Sequence, residues 1–131
     1  MAAIGLQFDK VQFERKNPLS GNVKVNNNVR IKEVSKTEVG KRDAMRFGFE
    51  FTIQYEPGIA SLTLDGFVNV LAKPEIIKEE LDKWKKDKKV SNELMTEVIN
   101  NVLAKGNVTA LILTREVNLP PPIDLPKVRV K

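Results

Sequence analysis

The amino-acid sequence predicts one α+β domain over residues 1–131: a four-stranded antiparallel sheet, arranged as a meander, followed by two helices packed on one sheet face. Three observations carry this. Apolar residues alternate with polar ones through four segments of the first 71 residues, the period of strands with one buried face. At Lys73-Pro74 the period changes to the three- and four-residue spacing of amphipathic helices. The connections are short, which favours pairing of consecutive strands and helices gathered on one face.

The first strand carries Ile4, Leu6 and Phe8 in one phase and Val11 and Phe13 in the next, so a bulge is expected near Asp9-Lys10. Asn17-Pro18-Leu19-Ser20-Gly21-Asn22 is a turn cluster. The second strand region runs from about Val23 to Val39; Asn26-Asn27-Asn28 within it reads either as a bulge or as a break. Gly40-Lys41-Arg42-Asp43 reads as a hairpin turn. The third segment has the clearest pattern, with Met45, Phe47, Phe49, Phe51, Ile53 and Tyr55 at every second position. These side chains are expected to form the core beneath the helices. After the turn sequence Glu56-Pro57-Gly58, the fourth strand places Ala60, Leu62, Leu64, Gly66, Val68 and Val70 on one face and Phe67 and Leu71 on the other.

Pro74 suits a first helical position, and Ile77, Leu81 and Trp84 form the apolar stripe of a helix ending near Lys88-Lys89. Ser91 is a good N-cap for a second helix, with Val90 and Met95 placed to staple its start. Leu103, Gly106, Ala110, Leu113 and Val117 keep helical spacing, so the helix is read as continuing through Gly106. The rival is a fifth strand over Val108–Leu113, which propensity alone would choose. Four prolines between Pro120 and Pro126 rule out a regular helix or central strand there, leaving a stiff extended tail.

Composition narrows the chemistry. The chain has no cysteine and no histidine. Disulfides, thiolate metal sites and a thiol nucleophile are therefore excluded, and the commonest metal ligand and neutral-pH base is missing. Glu50, Asp65, Glu79, Glu80 and Asp82 are scattered carboxylates, and the glycines form no phosphate-cradling loop. An enzyme, a cofactor and a metal are accordingly not expected. The longest aliphatic run, Ala110-Leu111-Ile112-Leu113, is far short of the ~20 residues a membrane span needs. Met1-Ala2-Ala3-Ile4-Gly5 lacks the basic and apolar regions of a secretion signal, so a cytoplasmic location is expected.

The order of elements, with particular residues in place, resembles the SecB family of protein-export chaperones. Leu6 to Phe13 looks like the family's opening strand. Leu64-Asp65-Gly66-Phe67-Val68-Asn69-Val70 looks like the end of its fourth strand. Glu97 to Gly106 resembles the end of its long helix, and Leu119-Pro120-Pro121-Pro122-Ile123 resembles the proline-containing link that follows. The resemblance implies a nucleotide-independent holdase, assembled as a dimer or dimer of dimers, that grips apolar stretches of unfolded polypeptide clients. The chain departs from the family in charge, with 22 basic and 17 acidic residues, and the family's helix after the link is not expected within these residues. It looks like a basic, non-standard member, archaeal or other, and docking to a translocation motor is not carried over.

Candidate client-binding residues are Phe67, Leu71, Leu119, Pro121, Ile123 and Leu125; the alternative for the proline segment is packing across its own domain. Phe8, Val11 and Phe13, on a terminal strand, are candidate oligomer contacts if that strand lies at an edge. A second class of function is nucleic-acid binding through Lys83, Lys85, Lys86, Lys88 and Lys89 and the tail residues Lys127, Arg129 and Lys131. Asp82 and Asp87 interrupt the helical run, and a solvated helix face is the plainer reading. A dedicated adaptor for one partner protein is the third.

Overall fold

A computed structural model describes residues 2–18, 23–116 and 119. Within them the chain forms β1 (Ala2–Arg15), β2 (Lys24–Val39), β3 (Arg42–Glu56), β4 (Ala60–Leu71), α1 (Pro74–Asp87) and α2 (Asn92–Glu116). All neighbouring strands are antiparallel, and both helices pack into one core with the same face of the sheet.

The sheet order is β1-β4-β3-β2. The expected meander therefore holds for β2, β3 and β4, while β1 lies beyond β4 instead of beside β2. The end of β1 is tied to the β3–β4 turn. The Lys16 and Asn17 N–H groups both donate to the Ile59 carbonyl, at 2.7 and 3.1 Å, and Asn17 Nδ2 donates to the Gly58 carbonyl at 2.6 Å. β1 and β2 thus lie at opposite edges of the sheet, three strand spacings or about 14 Å apart.

Gly66 is what lets β1 approach β4. A Cβ there would lie 1.9 Å from the Gln7 carbonyl oxygen and 2.9 Å from Phe8 Cα, both backbone atoms. The register shift between Phe8 and Lys10 falls opposite this glycine, where the sequence places a bulge, and a second shift separates Ala3 from Gly5. In β2 the register runs unbroken across Asn26-Asn27-Asn28 and slips instead between Ile31 and Glu33. The asparagines are thus neither bulge nor break: they pair with Gln54, Ile53 and Thr52 on an edge strand, where polar side chains reach solvent.

The alternation in β3 and β4 is realised in full. Met45, Phe47, Phe49, Phe51, Ile53, Leu62, Leu64, Val68 and Val70 are completely buried. α2 lies across all four strands and α1 covers β2 and β3. α2 is one helix through Gly106, whose position rests 3.4 Å from the Phe51 ring when a Cβ is placed on it. Its buried stripe is Leu94, Val98, Val102, Gly106, Ala110 and Thr114. Burial over the sheet outweighs the strand propensity of Val108–Leu113.

α1 and α2 are joined through Glu80, a buried carboxylate. Its Oε2 accepts the Ser91 N–H at 2.8 Å and its Oε1 accepts from Lys83 Nζ at 3.5 Å. Lys88 ends α1 in the left-handed region and donates its N–H to the Trp84 carbonyl.

Candidate functional site

The described surface has three kinds of unfinished region: an edge strand, an outer helix stripe, and a pair of grooves beside α1. β1 is one outer strand of the sheet, as the edge reading requires. Val11 is 51% exposed and Ile4 43% exposed, whereas Phe8 and Phe13 are half-buried. Phe8 turns inward, its ring edge-on to Phe49 at 6.0 Å, with Lys105 Nζ 6.0 Å from the ring centre. Lys105 also donates to the Leu6 carbonyl, fixing α2 over this strand. On α2, Val108 and Ile112 lie one turn apart and are 57% and 59% exposed.

The first groove, of about 520 Å³, lies between the start of β3 and the β4–α1 junction; Leu71, Ala72, Pro74 and Ile76 supply its apolar lining and Arg42, Asp43 and Lys73 its charges. The second, of about 470 Å³, lies between α1 and β2, with Pro74, Ile77 and Leu81 as apolar lining and Lys36, Lys78, Lys85 and Asp82 as charges. Pro74 lines both, so they adjoin at the first turn of α1. The placement follows from the sequence locally. Proline starts the helix just after β4, and Ile77 and Trp84 pin it down while lysines occupy the outer positions.

The candidate residues are divided by this arrangement. Leu71 lies in the first groove. Phe67 is on the sheet face away from the helices, half-buried, with the Arg46 guanidinium 3.8 Å above its ring. It is therefore part of a covered cation–aromatic pair on that face, not an open apolar patch. Nearby, Arg30 and Glu50 approach to 3.6 Å and Lys32 and Asp65 to 3.7 Å. Leu119 is a correction to the sequence reading: it is only 7% exposed, donates its N–H to the Thr114 carbonyl at 2.9 Å, and belongs to the core. An apolar side chain three residues beyond a helix packed on the sheet finds its burial within its own domain. Pro121, Ile123 and Leu125 lie outside the described residues.

Sequence reasoning missed the grooves, because Lys36, Arg42 and Pro74 come from three separate elements and share no periodicity. It also missed Arg46 as the partner of Phe67, although the two fall on the same sheet face by alternation. Of the lysine run on α1, Lys83 is engaged with Glu80 and Lys88 lies 5.6 Å from the Trp84 ring, which is itself buried.

At the far end of β3, Tyr55 is buried and hydrogen-bonds with Thr114, whose hydroxyl donates to the Ala110 carbonyl at 2.8 Å. Burial raises the Tyr55 pKa above its ordinary 10.0, partly offset by that bond. No helix among the described residues is long and apolar enough to cross a membrane, and no group of three or more Asp or Glu residues there is placed to hold a metal ion.

A four-stranded antiparallel sheet followed by two helices on one face is a SecB-like fold. Among solved structures, the chain is similar to the Mycobacterium tuberculosis Rv1957 SecB-like chaperone, in complex with a ChAD peptide from the Rv1956 HigA1 antitoxin. The TM-score is 0.54 and the identity 11%, over 98% of this chain and 91% of the other. No family model matches the chain, and no curated protein matches it.

Proposed function

We propose that the chain is a polypeptide-binding chaperone that holds apolar segments of non-native or partner proteins without using nucleotide. The observation that carries this is a SecB-like fold over nearly the whole chain, from a comparison in which the similar protein is in complex with a peptide. Supporting it, apolar side chains remain accessible after folding, at Val11, Val108 and Ile112 and in the grooves at Leu71 and Leu81. Each large apolar client side chain taken from water contributes roughly 1.5–3 kcal/mol, and several weak sites acting together raise avidity. The absence of histidine and cysteine from the sequence favours a binding protein over an enzyme. Assembly as a homo-oligomer through the β1 edge, with Phe8, Val11 and Phe13 near the contact, and a cytoplasmic location complete the proposal.

A second reading is an adaptor for one dedicated partner. It is favoured by the similar structure, whose peptide comes from an antitoxin rather than from an arbitrary unfolded chain. Two measurements separate the readings. A holdase suppresses aggregation of several unrelated denatured proteins at stoichiometric amounts without nucleotide; an adaptor suppresses aggregation of one partner, with which it forms a defined complex by mass. Failure to suppress aggregation of any protein, together with no peptide binding, rejects both.

A further inference from the structure

We infer that the two grooves beside α1 bind an apolar polypeptide segment flanked by acidic residues. This deepens the proposed polypeptide-binding function and rests on it. The lining of the two grooves contains five basic side chains, Lys36, Arg42, Lys73, Lys78 and Lys85, against two acidic ones, Asp43 and Asp82. The whole chain has 22 basic to 17 acidic, so the basic excess is concentrated here well beyond the average.

Some cations outside the grooves are engaged by neighbours. Arg30, Lys32 and Lys83 are within ion-pair distance of carboxylates, and Arg46 sits over Phe67. Lys36, Arg42, Lys73, Lys78 and Lys85 take part in no ion pair among the described residues. All five are exposed. Their charge therefore faces outward around an apolar floor, and it complements a ligand with apolar side chains in the middle and carboxylates at either side.

The same charges would attract a nucleic acid, but the floor argues for polypeptide. It is aliphatic, built from Leu71, Ala72, Pro74, Ile77 and Leu81. Single-strand binders combine positive charge with open aromatic rings on which bases stack. The one ring nearby on α1, Trp84, is buried in the core.

The test is fluorescence anisotropy with short labelled synthetic peptides that share one Leu/Val core and differ only in flanks of Asp/Glu, Gly/Ser or Lys. Labelled oligothymidine is the nucleic-acid probe. Acidic flanks are expected to tighten binding about tenfold over neutral ones, with lysine flanks weaker than both. Added salt is expected to erase the difference. The combined variant Lys36→Glu, Lys78→Glu and Lys85→Glu changes exposed positions only. Its circular dichroism is expected to match the unaltered chain, and its flank preference to disappear or invert. The salt titration on the unaltered chain decides the matter even if that variant misfolds. Equal affinity for all three flanks overturns the inference and leaves polypeptide binding standing, as does acidic-flank preference that persists unchanged in a folded variant. Oligothymidine binding tighter than the acidic peptide overturns it in favour of nucleic acid. No binding of any peptide overturns both this inference and the reading beneath it.

Discussion

β3 and β1 both alternate apolar with polar residues, β3 in one phase and β1 in two, and they end in opposite conditions. Every helix-facing side chain of β3 from Met45 to Tyr55 is buried by neighbours on both sides and by the helices above. Among the described residues β1 has a neighbour on one side only, two register shifts, and Val11 half open to solvent on the face where its partner Leu64 is fully buried. The difference teaches that alternation reports which face of a strand is apolar, not whether the domain itself supplies the cover. The centre of the sheet is finished by the chain's own helices. The periphery, meaning β1, the outer stripe of α2 and the grooves beside α1, retains apolar surface that a second polypeptide can bury.

Substitutions can break this contrast directly. Phe51→Ala removes a fully buried ring under α2 and is expected to cost about 3–5 kcal/mol of stability by denaturant titration. Val11→Ala on the edge strand is expected to stay within about 0.5 kcal/mol; comparable losses at the two sites would mean that β1 is as well covered as β3.

Gly66→Ala tests how β1 is attached. Its Cβ meets β1 backbone, which cannot turn aside as a flexible side chain can, so a loss of about 1–3 kcal/mol is expected. The loss should be regional. Amide exchange should accelerate in β1 while the β2–β3 pairing keeps its protection, and uniform acceleration would contradict the picture of a separable edge.

Glu80→Ala leaves the Ser91 N–H without its carboxylate acceptor and is expected to cost about 1–3 kcal/mol, seen in thermal unfolding. By contrast Gly106→Ala is expected to be neutral or to stabilise by up to about 1 kcal/mol. The added methyl would lie 3.4 Å from the Phe51 ring, at ordinary contact, and alanine is the better helix former.

The smallest effect concerns pH. Because burial raises the Tyr55 pKa above 10.0, the folded state holds its proton at a pH where the unfolded chain releases it. Stability from this group is complete below the unfolded value and falls as pH rises past it toward the folded value. Tyr55→Phe should flatten that alkaline part of the stability profile; an unchanged slope would show that Tyr55 does not titrate differently in the two states.

The strands and helices were legible because each has a strong period: two in β3 and β4, near 3.6 in α2, where the spacing from Leu103 through Ala110 to Leu113 outweighed strand propensity. Strand order was less so. Alternation does not encode which strand lies next to which, and the contacts that send β1 to β4, namely Gly66 and the bonds to Ile59, join residues far apart in the chain. The slip in β2 falls at Lys32, a residue with no breaking signal, while the conspicuous asparagines nearby stay in register. Of the described candidate residues, only Leu71 falls in a groove, and the cations around the grooves were hidden because separate elements contribute them.

The central claim is that surface left open by folding is where another polypeptide binds. Hydrogen exchange of the chain, measured alone and with a saturating denatured client, tests it most directly. The account predicts new protection across the end of β4 and the first turns of α1, from Leu71 to Lys85, with β3 unchanged. Exchange over that segment that is the same with and without client would contradict it.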